Sequence, residues 1–94
     1  MIRTFNLIKP SQLPQDRFFA LIWRARQLAL ELEGVYDLAL YQTEQPGTWR
    51  CSVDMDGDEG LEQLQADQRF QRVWTELKEL GVQITQEDQL ERKI

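Results

Sequence analysis

Val53-Asp54-Met55-Asp56-Gly57-Asp58-Glu59-Gly60, VDMDGDEG, sets three aspartates at alternate positions beside two glycines, and so resembles the opening of a calcium loop. An EF-hand loop needs glycine at its sixth position for the sharp turn and a bidentate glutamate at its twelfth. Counted from Asp54 those positions hold Glu59 and Gln65; counted from Asp56, the sixth is Leu61. The calcium reading therefore fails on mechanics. The same residues make a good strand-to-helix junction: a strand ends near Met55, Asp56 or Asp58 caps a helix, and Glu59 sits in its positive first turn.

Working outward, Thr48–Met55 (TWRCSVDM) alternates strictly and reads as a strand. Before it, Glu44-Gln45-Pro46-Gly47 is a turn, and VYDLALYQ (35–42) is too short for a helix and rich in aromatic and branched residues. The two strands form a hairpin. Further upstream, IRTFNLIK (2–9) reads as a strand ended by Pro10, and a helix begins between Ser11 and Asp16 with Pro14 suited to its first turn. That helix carries Phe18, Leu21, Ile22, Ala25, Leu28, Ala29 and Leu32 at helical spacing, and Gly34 supplies its left-handed exit, with Val35 closing onto Leu30.

Downstream of the junction, Leu61 and Leu64 lie out of phase with Phe70, Val73, Leu77 and Leu80. A helix break near Ala66-Asp67 follows, with Asp67 capping the second piece and Gly81-Val82 ending it. VQIT (82–85) is a last strand, and QEDQLERKI (86–94) is a polar extension, arm or disordered tail. The order β-α-β-β-α-β is the split βαβ, ferredoxin-like pattern, an α+β fold with a four-stranded antiparallel sheet and helices on one face. Residues 1–94 are expected to form one domain. Strand one offers Phe5 and Leu7 to one side and Ile2 and Ile8 to the other; strand two offers Tyr36, Leu38 and Leu40 opposite Val35, Ala39 and Tyr41. An antiparallel sheet open to water shows a polar face, so apolar residues on both sides call for a second sheet as cover, and for a homodimer.

Composition narrows the chemistry. The 94 residues carry a net charge of −5, which argues against nucleic acid and anionic membrane surfaces, and MIRTFNLIKP lacks the apolar core of a signal peptide; a cytoplasmic protein is expected. There is no histidine and a single cysteine. No Ser-His or Cys-His nucleophile pair can be assembled, the usual zinc sites lack ligands, and Cys51, alternating with Trp49, Val53 and Met55, reads as a buried structural thiol. No metal site and no cofactor are expected.

Two stretches carry a resemblance to a known family. Thr4-Phe5-Asn6-Leu7 and the segment Glu59–Trp74, with its break before Phe70, resemble the dimeric α/β-barrel superfamily, and in particular the antibiotic-biosynthesis monooxygenases with their heme-degrading relatives. The resemblance implies a dimeric α/β barrel and a small, flat, apolar or aromatic ligand held between sheet and helices. It makes Asn6 the candidate catalytic and ligand-orienting residue, and Leu64, Phe70 and Trp74 candidate ligand-binding residues. In the heme-degrading branch the position of Trp74 is the iron-ligating histidine and that of Leu64 a tryptophan on the porphyrin; a chain without histidine offers no such ligand. Cofactor-independent oxidation of a phenol or quinol fits better, because there the protein needs only to bind, orient and desolvate its substrate. The alternative is a non-catalytic binding or stress-associated dimer.

Bland readings stand beside these. Asn6 also suits an edge or turn-bonding role, Trp74 the core, and Arg50 a cross-strand ion pair with Asp37 or Glu44. Phe19, Trp23, Arg26 and Leu30 flank the main stripe of the first helix and suit a wider buried face or a partner surface equally well.

Overall fold

The computed structural model describes residues 1–87. In chain order it contains β1 (Ile2–Ile8), α1 (Gln15–Leu30), β2 (Val35–Gln42), β3 (Thr48–Met55), α2 (Gly57–Ala66), α3 (Gln68–Glu79) and β4 (Gln83–Glu87). The four strands form one sheet in the order β2-β3-β1-β4, antiparallel at every pairing, as the ferredoxin-like pattern requires. The proposed tail at 86–94 contributes two residues to β4, and its remainder lies outside the described residues.

The core lies between the sheet and the three helices. Leu7 of β1, Leu38 of β2 and Cys51, Val53 and Met55 of β3 are closed off from water, and against them pack Phe18, Ile22 and Ala25 of α1 with Phe70, Val73 and Leu77 of α3. Side chains alternate across a strand, so the even-numbered residues of β1 and β3 point the other way. Ile2, Ile8 and Tyr41 are exposed there, interspersed with Thr4, Asn6, Arg50 and Ser52. This face is less uniformly apolar than the strand patterns imply.

One strand departs from simple alternation. The β2–β3 register slips between Val35 and Asp37, a β-bulge that gives Tyr36 no partner on β3. Val35 thereby joins Leu38 and Leu40 on the helix side, where strict parity would oppose them, and Tyr36 is left exposed.

The two helix exits also differ. At the end of α3 the Gly81 amide donates to the Lys78 carbonyl at 3.0 Å and the Val82 amide to Leu77 at 3.0 Å, a Schellman motif that needs the left-handed Gly81 (φ 93°). The α1 exit is looser. The helix stops at Leu30, and Gly34 (φ 84°) sits four residues later as the third residue of a turn closed by the Val35 amide on the Leu32 carbonyl. Val35 thus closes onto Leu32 rather than Leu30. At the other end Pro14 stands at the N-cap itself, one residue before α1.

The VDMDGDEG junction is a helix start. Asp56 occupies the N-cap of α2 with Asp58 and Glu59 in the first turn, although the Asp56 carboxylate makes no capping bond. What fixes the junction is a backbone contact: the Asp56 amide donates to the Gly34 carbonyl at 2.6 Å. A β-carbon on Gly60 would lie 2.6 Å from that same carbonyl oxygen and 2.6 Å from Met55 Cβ, so glycine is required for the α1 exit to seat against α2.

Candidate functional site

Asp67 separates α2 from α3. Its extended backbone (φ −79°, ψ 111°) interrupts the helical path, and its side chain accepts a hydrogen bond from the Phe70 amide at 2.8 Å, so it is the N-cap of α3. The Gln71 side chain reaches back from α3 and donates to the Leu64 carbonyl at 2.9 Å, satisfying an acceptor that the end of α2 leaves open. With the break at this residue, α2 and α3 make two walls over β1 and β3.

Between those walls and the sheet lies a cleft of about 290 Å³. Arg3 and Phe5 of β1 and Val53 and Met55 of β3 form its floor; Leu61, Leu64 and Gln65 of α2 line one side, and Phe70, Gln71, Trp74 and Lys78 of α3 the other. Three aromatic rings form one surface. Phe70 stacks on Trp74 with ring centroids 5.6 Å apart and planes 20° from parallel, and Phe5 meets Trp74 edge-on, also at 5.6 Å. Such a wall offers a flat ligand both stacking and edge contacts.

The structure brings together three of the four residues singled out from the sequence. Leu64, Phe70 and Trp74 all line this cleft. Asn6 does not: it follows Phe5 on the strand and so projects to the opposite side of the sheet, into a broad concavity of about 610 Å³ with Ile8, Tyr41, Arg50 and Thr85. In a strand one residue is the difference between the two faces, so Asn6 does not share the cleft with Leu64, Phe70 and Trp74. The residues that β1 does send into the cleft are Phe5 and Arg3. Phe5 alternates with Leu7 in the sequence and could have been found from parity; Arg3 looks like an ordinary polar strand position until the helices are placed over it.

A third depression of about 340 Å³ runs between α1 and the edge strand β2, lined by Phe19, Ile22, Trp23, Arg26, Leu38 and Leu40 among others. Arg26 partly closes it, donating from Nε to the Leu38 carbonyl at 3.1 Å and from a terminal nitrogen to Asp37 at 3.2 Å, while its guanidinium lies 5.6 Å from the Trp23 ring centre. Asp37 therefore answers Arg26 of α1. Of the flanking residues on that helix, Phe19 is partly buried edge-on against Trp49 at 5.2 Å, and Trp23 is 60% exposed.

The one thiol among the described residues is out of play as a nucleophile. Burial pushes the Cys51 thiol up to about 12, far from the thiolate a nucleophile requires. Among the described residues no three acidic side chains are grouped so as to hold a metal ion, and no helix is long and apolar enough to cross a membrane.

With the geometry established, solved structures supply the comparison. A protein from Deinococcus radiodurans, described as a candidate antibiotic biosynthesis monooxygenase, superimposes with a TM-score of 0.74 over 95% of this chain and 92% of its own, at 17% identity. Another of the same description, from Bordetella bronchiseptica, gives 0.68 over 95% and 96% at 21% identity. The fold is that of the antibiotic biosynthesis monooxygenases. A Bacteroides thetaiotaomicron protein of unknown function, described as a candidate oxidoreductase, gives 0.77 over 92% of both chains at 13% identity. The sequence itself matches no family model and no curated protein. At such identities the likeness is one of architecture, and the chemistry rests on this chain's own residues.

Proposed function

We propose that the chain works as a homodimer and binds a small, flat aromatic ligand in the cleft between the sheet and α2–α3, where it supports cofactor-independent oxidation of a phenol or quinol. The observation that carries this reading is the continuous aromatic surface of Phe5, Phe70 and Trp74 around a space of about 290 Å³, close to the lower end of ordinary small-molecule sites at roughly 300 Å³. Leu64 closes the same space from α2. The monooxygenase-like fold supports the reaction class.

In such a reaction a quinol passes two electrons and two protons to O₂, giving the quinone and H₂O₂. The protein's part is to hold the ring flat, keep bulk water from it and favour the electron-rich form. Asn6 has no part in this cleft; it stands on the face we assign to the dimer, where its amide can bond across the interface. Support for the dimer comes from Ile2, Ile8 and Tyr41, exposed on the sheet face opposite the packed helices.

The second reading is a binding protein without turnover, favoured by the lack of any histidine to move protons. One experiment separates the two. Quinols and naphthols are titrated against tryptophan fluorescence, and every compound that quenches in wild type and fails in Trp74→Leu is tested for oxygen uptake. Saturable quenching with protein-dependent uptake supports oxidation. Quenching without uptake leaves the binding protein, and no Trp74-dependent quenching sinks both.

A further inference from the structure

Arg3 brings a second chemistry into the cleft beside the aromatic one. Its Nε is shut off from water and has no hydrogen-bond partner among the described residues. Three arginines elsewhere are answered by carboxylates: Arg17 by Glu76, Arg26 by Asp37, Arg69 by Glu31 and Asp67. Arg3 and Lys78, the two cations of the cleft, have no carboxylate partner among the described residues, and no acidic residue lines the space they share. In a protein of net charge −5 this concentrates positive charge around an aromatic surface.

An arginine does not escape such a position by losing its proton, since its guanidinium stays charged. A buried donor left without an acceptor is costly, and a charged one more so. The cost falls when an oxygen comes within reach, and Arg3 lines the cleft, so an oxygen on a bound ligand is placed to supply one.

We propose that the cleft selects an aromatic ligand bearing an oxyanion, a ring carboxylate or a phenolate, with Arg3 donating to that oxygen from the floor and Lys78 adding charge from α3. This deepens the ligand-binding reading above and rests on it. Adjacent cations favour the charged form of an acid, so a phenol or quinol bound here ionises more readily, and the anion gives up electrons to O₂ more easily than the neutral ring.

The test uses isothermal titration calorimetry with 2-naphthoate and its neutral isostere 2-naphthamide, on wild type, Arg3→Met and Lys78→Met. Charge-assisted hydrogen bonding predicts that wild type prefers the carboxylate by about ten- to hundredfold. Arg3→Met should abolish the preference while still binding the amide, and Lys78→Met should reduce it by a few-fold. A second arm follows 2-naphthol by its naphtholate absorbance, whose apparent pKa should fall on binding to wild type and not on binding to Arg3→Met. Should Arg3→Met fail to fold, the naphthol shift in wild type and the Lys78→Met titration carry the test. Equal affinity for carboxylate and amide in wild type, with no naphthol shift, overturns the oxyanion assignment and leaves the aromatic cleft standing. If no probe binds, the cleft reading itself falls and takes this assignment with it.

Discussion

On the side of the sheet where the helices pack, Leu7, Cys51, Val53 and Met55 are closed to water; on the other side Ile2 is 58% exposed, Ile8 42% and Tyr41 56%. The same strands build both faces, and their alternation gives each a different task. The packed face holds the fold and, at its α2–α3 end, leaves a cleft. The open face mixes apolar and polar residues. The strand is thus divided by parity: of the odd positions of β1, Arg3 and Phe5 line the cleft and Leu7 packs in the core, while the even positions face the outer surface.

The sharpest way to break this division is to cut into the packed face. Phe18 is fully buried and touches both Phe19 and Trp49, so Phe18→Ala should cost about 3–5 kcal/mol in urea unfolding and could leave little folded protein. Next comes Gly60→Ala. Its new β-carbon would meet backbone at Gly34 and the side chain of Met55 at 2.6 Å, and a loss of about 1–3 kcal/mol is expected by the same measurement. A loss under half a kcal/mol would mean that the α1 exit and α2 move apart freely. Asp67→Ala removes the α3 cap and should cost about 1 kcal/mol.

On the open face the stability effect should nearly vanish. Ile8→Thr with Tyr41→Thr is expected to change monomer stability by no more than about 0.5 kcal/mol, because both side chains are already largely in water. The same pair should convert a dimer to a monomer in sedimentation at micromolar concentration. If the wild type already sediments as a monomer, the open face is simply a solvated one.

How much of this could be read from the chain depends on whether the signal was local. The bounds of β2 and β3, the break at Asp67 and the Gly81 exit all follow from short patterns whose physics is complete within a few residues. The β2 bulge did not announce itself, because the preference of Val35 for the core emerges only when helices cover one side. The Gly34–Gly60 contact joins distant parts of the chain and has no sequence signature beyond the two glycines. Of the site, Leu64, Phe70 and Trp74 were singled out through the family resemblance, while the placement of Asn6 and Arg3 depends on strand parity.

The two walls of the cleft meet at Asp67, so the angle between them is fixed at one peptide unit and one carboxylate. Aperture is therefore tunable apart from lining: a change at this joint could admit a bulkier ring or exclude a slimmer one while every side chain that touches the guest stays the same.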